Sequence, residues 1–345
     1  MSTSSTERKF KVAMVGATGA VGETLLSILK ERQFPIGEFV PLASERSAGS
    51  EVEFGNRKVV VKNLADYDFA GVDIAFFSAG GSVSKAHAPR AAAAGAAVID
   101  NTSEFRYQDD IPLVISEVNP HAIARYKPRG IIANPNCSTM QMLVALAPIH
   151  RAVGITRINV ATYQSVSGAG RSGLEELARQ TSALLNFQEA QVNKFQAQIA
   201  FNAIPQIDDF QENGYTREEM KMVWETRKIL EDESIQVNPT AVRVPVFYGH
   251  SEALHIETRD KITADAARKL LESAPGVVVV DERRPGGYPT PVGHAAGKDP
   301  VFVGRIREDI SHPHGLDLWC VSDNIRKGAA LNAIQIAELL VKSYL

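Results

Sequence analysis

The chain has 345 residues, of which 44% are hydrophobic and 22% charged, and its 37 Lys plus Arg against 40 Asp plus Glu leave a net charge of -3. That length accommodates about two globular domains. The balance excludes the basic excess of a nucleic-acid binder or of a protein held on an anionic membrane, no apolar run reaches a membrane span, and two cysteines exclude a disulfide scaffold or a multi-cysteine metal cluster. Such sparing cysteine use suits a reducing compartment, so a soluble, cytoplasmic protein is expected.

Residues 1–10 lack the apolar core of a signal peptide and read as a short frayed tail. A buried strand is expected at 10–15, then a glycine turn and a helix to about Lys30. Further strands are expected at 39–43, 59–61, 72–79, 97–100, 113–118 and 131–133, with an Ala-rich helix at 82–95. Continuous apolar strands alternating with helices predict a doubly wound, mostly parallel nucleotide-binding sheet. Beyond Pro135 the strands lengthen and alternate in polarity, at 155–166, 237–247, 253–259, 277–281, 301–310 and 316–321, which predicts a half-buried antiparallel or mixed sheet. One helix presents Leu174, Leu177, Ala178, Thr181, Leu184 and Leu185 on a single face. Another opens on the capping box Thr216-Arg-Glu-Glu219 and runs through Met220, Val223, Trp224 and Leu230. Residues 284–298 read as a long Gly- and Pro-rich loop and 325–344 as a terminal helix.

Two motifs carry chemistry. Gly16-Ala-Thr-Gly19-Ala-Val-Gly22 joins the first strand to its helix, where glycines allow a pyrophosphate to approach the helix N-terminus; the plainer alternative is a turn built only for packing. At the end of the second strand, Ser44 and Arg46 favour the 2′-phosphate of NADP, although Glu45 stands between them. Asn134-Pro-Asn-Cys137-Ser-Thr139 places a thiol at a strand end just before an apolar helix. The helix dipole is expected to favour the thiolate, bringing its pKa below about 8.5 and fitting Cys137 to attack an aldehyde or acyl phosphate. Cys320, inside an apolar strand, reads as a core residue, and His312-Pro-His314 as a turn without metal-ligand companions, so no metal is expected.

With those motifs, Ser44-Glu-Arg-Ser-Ala-Gly49, Thr162 through Gly170, Arg243 through His250 and Ser322-Asp-Asn-Ile325 occur in order, and with them the chain closely resembles the aspartate-β-semialdehyde dehydrogenase family from about Lys11 to its end. The resemblance implies an NADP-binding domain at 1–134 and 323–345 and an α+β catalytic and dimerisation domain at 135–322, an arrangement similar to the glyceraldehyde-3-phosphate-dehydrogenase-like one. It implies reversible, NADP-dependent reduction of aspartyl phosphate to aspartate semialdehyde through a Cys137 thioester, in lysine, threonine, methionine and diaminopimelate biosynthesis. His250 is then the general acid/base, a role a near-neutral pKa suits. Gln164 orients the acyl group and Arg243 clamps the substrate carboxylate. Arg106, Lys221 and Asn136 contact phosphate, and Glu218 the substrate amino group. On pattern alone Glu218 and Lys221 are merely an i, i+3 surface pair. The cofactor positions are Gly16, Thr18, Gly19, Ala20, Val21, Gly22, Ser44, Arg46, Ser78, Gly80, Gly168 and Asn324. A homodimer is expected, with small-molecule substrates including inorganic phosphate and neither nucleic-acid nor membrane partners. The competing readings are another acyl-phosphate reductase, acting on N-acetylglutamyl phosphate or glyceraldehyde phosphate, and a non-catalytic NADP-binding protein.

Overall fold

The computed structural model describes residues 8–345, so residues 1–7 of the expected tail lie outside the described residues. The chain divides into two units, the first running to Pro135 and resuming at Ala329, the second spanning Asn136–Gly328.

In the first unit come β1 (Phe10–Val15), α1 (Ala20–Glu31), β2 (Ile36–Ala43), β3 (Glu51–Phe54), β4 (Arg57–Val60), β5 (Lys62–Asn63), β6 (Ile74–Phe77), α2 (Gly81–Ala93), β7 (Ala97–Asp100) and β8 (Ile131–Ala133). Six of these strands form a sheet in the order β5-β2-β1-β6-β7-β8, every pair parallel. Its core gathers Val12, Met14, Leu25, Ile28, Phe76, Ile99, Ile334 and Leu340. This is the doubly wound class that continuous apolar strands demand, because both faces are covered by helices.

Two expected strands differ. Residues 59–61 fall largely in β4, which pairs antiparallel with β3 as a separate ribbon. The Glu51-Val-Glu-Phe54 alternation is what one-sided burial of such a ribbon requires. Residues 113–118 form only an isolated bridge from Leu113 to Ala133. Here the Asn119 side chain donates to the Leu113 carbonyl and accepts from the Ile115 N–H, taking the groups a neighbouring strand would use.

The second unit contains α3 (Cys137–Val153), β9 (Ile155–Gln164), α4 (Arg171–Leu185), α5 (Arg217–Leu230), β10 (Gln236–Arg243), β11 (His250–Thr258), α6 (Ala264–Glu272), β12 (Val277–Val279), β13 (Val301–Glu308) and β14 (Gly315–Ser322). Its mixed sheet runs β10-β9-β11-β14-β13-β12, and α3 packs on β9, β11, β13 and β14. The last helix, α7 (Asn332–Ser343), packs on α1 and β7 of the first unit, after a π-helical turn at Arg326–Leu331. Helix α6 was not anticipated, and the loop expected at 284–298 contains a π-helical turn at Pro291–Ala295.

The helix faces also shifted. Ala178 and Leu185 of α4 are exposed, whereas Glu176 and Gln180 are buried. Both polar side chains bond backbone N–H groups of the segment 193–200, which repays their burial. In α5, Val223 is buried as expected, but Trp224 is exposed and the buried face also carries Glu218, Glu219, Glu225 and Thr226.

Alternate residues of the covered sheet face are apolar at one end (Ile158, Leu254, Ile256, Leu316, Leu318) and polar at the other (Thr162, Gln164, His250, Glu252, Ser322). Glu252 is paired across the strands with Thr162 and Cys320 and is fully buried, and that burial holds its carboxyl well above the usual range. A carboxyl with a raised folded pKa destabilises progressively as pH rises past its unfolded value, because only the unfolded chain then releases the proton. Glu252→Gln should therefore gain thermal stability relative to the parent between pH 5 and pH 8, by up to about 1.4 kcal/mol for each pH unit. Scanning calorimetry at both pH values checks this, and a constant difference contradicts it.

Candidate active site

The centre of the second unit's polar end is the start of α3. Asn136 is its N-cap, with φ -61° and ψ 144°, and its side-chain oxygen accepts the N–H groups of Ser138 at 2.9 Å and Thr139 at 3.2 Å. Its Nδ2 donates to Glu218 Oε1 at 2.9 Å, while its backbone N–H donates to Glu225 Oε2 at 2.6 Å. The residue is 7% exposed, so each of these bonds is made away from bulk water. Cys137, the first residue of the helix, is partly exposed beside this cap and is not disulfide-bonded.

Both acids that hold Asn136 come from α5. The expected capping box is formed: Glu219 N–H donates to Thr216 Oγ1, and Thr216 N–H to Glu219 Oε2. Fixing the first turn aims Glu218, and two turns later Glu225, from the same helix face. Glu218 is not a surface residue as its spacing suggested: it is 5% exposed and bonded to Lys221 Nζ at 3.0 Å. Lys221 also donates to Asp208 Oδ2 at 2.8 Å, and Gln164 Nε2 to Glu218 Oε1 at 3.2 Å. Burial opposes ionisation of Glu218, but Lys221, Asn136 and Arg243 overcome it and bring its pKa to about 2. Lys221 is likewise desolvated, yet Glu218 and Asp208 raise its pKa.

Arg243 ends β10 and His250 begins β11, so the loop between these strands delivers both. Arg243 Nη1 donates to the Ser165 carbonyl at 2.8 Å. Its burial lowers the guanidinium pKa, while Glu218 and Cys137 raise it, so a negative charge on Cys137 and the Arg243 cation attract each other. His250 is fully buried. Its Nδ1 accepts the Ser165 N–H at 3.1 Å and lies 3.0 Å from Ser165 Oγ. Nε2 has no hydrogen-bond partner among the described residues. The near-neutral titration expected of His250 is absent: burial, then Arg243, push its pKa down to about 3, against a smaller opposite pull from Glu218.

Gly168 walls this space. A Cβ there would lie 2.9 Å from Arg243 Nη1 and 3.3 Å from His250 Nε2, so the glycine keeps open a gap that both groups border. Asn324 Oδ1 accepts from Ser165 Oγ, Ser167 Oγ and the Gly249 N–H at 3.0, 3.1 and 3.2 Å. Gly168 and Asn324 thus belong to the imidazole's surroundings, and they lie in the same second unit as Cys137, Asn136, Gln164, Glu218, Lys221 and Arg243.

The remaining predicted residues lie in the first unit. Gly16 has φ +90°, and a Cβ there would meet the Ser78 carbonyl oxygen at 2.6 Å; one at Gly22 would meet the Gly16 oxygen at 2.3 Å. Only glycine permits this tight passage into α1, leaving Thr18 and Gly19 exposed at its tip with Ala20 and Val21 opening the helix. Ser44 and Arg46 are exposed where β2 ends, and Ser78 and Gly80 follow β6 into α2. Arg106 is buried near the end of β7, where its Nη2 donates to the Asn101 carbonyl at 3.0 Å.

Sequence reasoning missed Glu225, Ser165 and Ser167. Glu225 stands seven residues after Glu218, a same-face spacing that marks it as a second inward acid.

The chain matches the family models described as "Semialdehyde dehydrogenase, NAD binding domain" over residues 11–126 and "Semialdehyde dehydrogenase, dimerisation domain" over residues 146–327. It is 62% identical to "Aspartate-semialdehyde dehydrogenase" of Legionella pneumophila, covering 98% of this chain and 97% of that one. The solved aspartate semialdehyde dehydrogenase II of Vibrio cholerae complexed with ASA is similar at TM-score 0.96 and 60% identity, covering 98% of this chain and 100% of that one. A Candida albicans enzyme of the same name, solved with NADP, is similar at TM-score 0.75 and 26% identity, covering 96% of this chain and 98% of that one.

The two thiols should separate chemically. Cys320 is fully buried, and burial together with Glu252 pushes its thiol up, whereas Cys137 is accessible. Iodoacetamide should add one equivalent per folded chain, located on Cys137 by peptide mass mapping; label on Cys320 contradicts this.

Proposed function

The chain belongs to the aspartate-semialdehyde dehydrogenase family, and from that premise we infer that Cys137 is the nucleophile of its reaction, reversible reduction of L-aspartyl 4-phosphate to L-aspartate 4-semialdehyde, a step in lysine, threonine, methionine and diaminopimelate biosynthesis. One observation supports the inference above all: Cys137 starts a helix whose cap is tied to two buried acids, while the cation of Arg243 attracts its thiolate.

In the biosynthetic direction the thiolate adds to the acyl-phosphate carbonyl, giving an alkoxide. Re-formation of that carbonyl breaks the bond to phosphate and leaves a thioester on Cys137. The dinucleotide, when bound, supplies the hydride that reduces this thioester. Re-formation of the carbonyl of the resulting thiohemiacetal breaks the carbon–sulfur bond, releasing aldehyde and regenerating the thiolate. Arg243 clamps the substrate carboxylate in a geometry that suits a guanidinium, and Glu218 receives the amino group. Gln164, already hydrogen-bonded to Glu218, orients the acyl group, and His250 serves its oxygen from Nε2. Lys221 and Asn136 hold the phosphate.

The Gly16–Gly22 turn fits a dinucleotide pyrophosphate, since a Cβ at either end would close the turn on itself. Exposed Ser44 and Arg46 favour NADP, by offering a hydroxyl and a guanidinium to a 2′-phosphate. The enzyme works as a homodimer through the mixed sheet, in the cytoplasm, on small molecules.

Steady-state assays with aspartate semialdehyde, phosphate and either NADP or NAD test the reading. NADP should be preferred, and Arg46→Ala should raise its KM by about tenfold while leaving that of NAD nearly unchanged. Cys137→Ala should lower kcat by a thousandfold or more, about 4 kcal/mol of barrier. Preference for glyceraldehyde phosphate or full activity in Cys137→Ala contradicts the reading.

A further inference from the structure

We propose that Gly328 is a positioning residue for the nucleophile: its backbone, held in the π-helical turn that begins at Arg326, stands against the Cys137 Cβ and confines the thiol to one rotamer at the start of α3. The proposal rests on the reaction assigned above and adds to it a residue that acts only through Cys137.

A Cβ at Gly328 would lie 2.7 Å from Cys137 Cβ and 3.2 Å from its Cα. Carbon atoms pack best at about 3.5–4.0 Å, so even a methyl group there would have to push the start of α3 away by about 1 Å. Backbone conformation does not call for the glycine. Gly328 is absent from the residues with positive φ, and inside a helical turn glycine is less stable than alanine. What glycine supplies at this buried position is room, and the group that uses the room is Cys137.

The turn that carries Gly328 has little slack. Its N–H donates to the Asp323 carbonyl at 3.1 Å, the five-residue step of a π-helix, a form that recurs at functional sites. Asp323 Oδ1 accepts the N–H groups of Ile325 and Arg326, both at 2.9 Å, and Oδ2 that of Gly297 at 2.7 Å. Arg326 Nε donates to Asp299 Oδ1 at 2.8 Å. Asn324, whose Cβ would lie 3.7 Å from a Cβ at Gly328, is tied to Ser165, Ser167 and Gly249. On the other side of the contact, the Asn136 cap fixes the backbone of Cys137. Two braced segments therefore meet at the one carbon that bears the sulfur.

A sulfur on that carbon has three staggered positions. Backbone packed against Cβ closes the side it occupies, and the attraction between a Cys137 anion and Arg243 selects among the directions left open. Such placement matters to the rate, because an attacking atom misplaced by about 1 Å can cost about 10²-fold.

Gly328→Ala in the full-length protein tests this. With aspartate semialdehyde, phosphate and NADP, kcat should fall about a hundredfold while each KM stays within about threefold. Iodoacetamide should alkylate Cys137 at least about fivefold more slowly, a readout that needs no turnover, because the thiol is displaced from the helix start and from Arg243. A variant that melts at lower temperature but keeps the parental kcat and alkylation rate has lost only stability, and overturns the proposal. Ala330→Gly loosens the same turn without adding an atom beside Cys137; it should keep both rates, and losses equal to those of Gly328→Ala overturn the proposal. A high-resolution crystal structure of the parent decides the matter even if the alanine variant does not fold. Gly328 Cα should be in van der Waals contact with Cys137 Cβ and the sulfur in a single rotamer; a gap wide enough for a methyl group, or two comparably occupied rotamers, overturns it. Full activity in Cys137→Ala refutes the functional reading, whereas inactive Cys137→Ala beside fully active Gly328→Ala refutes the positioning role alone.

Discussion

The active centre depends on one buried side chain, that of Asn136. Its oxygen closes the first turn of α3, its amide nitrogen binds Glu218 and its backbone N–H is taken by Glu225. Those contacts fix the backbone beside Cys137, at the positive end of a helix that is buried nearly all round. Removing the Asn136 side chain would orphan two helix N–H groups and leave Glu218 Oε1 with Gln164 alone as donor, a cost beyond that of one lost hydrogen bond.

Charge makes the arrangement workable. A buried carboxylate is stable only when its desolvation is offset by partners, and Glu218 has Lys221, Asn136 and Gln164. This is why Glu218, on α5, stays ionised, while burial pushes the carboxyl of Glu252, on β11, well above its ordinary range. The two acids differ in surroundings, not in residue type. The same logic separates the thiols: a helix start and a nearby guanidinium for Cys137, a dry strand for Cys320.

Much of this was legible in the chain. Apolar strands alternating with helices identified the parallel sheet, and Asn134-Pro-Asn-Cys137 and Thr216-Arg-Glu-Glu219 marked both helix starts that build the centre. What escaped depended on distant pairings. Glu225 bonds a residue 89 positions away and Ser165 one 85 positions away, and neither distance leaves a local pattern. Glu218 and Lys221 read as a surface pair because helical spacing reports which residues share a face, not which way that face turns. The near-neutral pKa expected of His250 failed for a related reason, since its ordinary value changes only when burial and Arg243 are brought to it by the fold. Residues 113–118 read as a strand because apolar content cannot reveal that Asn119 would claim their backbone groups.

Covalent catalysis at Cys137 is tested most directly by trapping. The enzyme is mixed with aspartate semialdehyde and oxidised NADP in the absence of phosphate, quenched in acid and digested for mass spectrometry. The Cys137 peptide is expected to carry an aspartyl acyl group, lost when phosphate is added before the quench. Phosphate-dependent turnover with that peptide unmodified throughout, or the acyl group on any other residue, contradicts the covalent route.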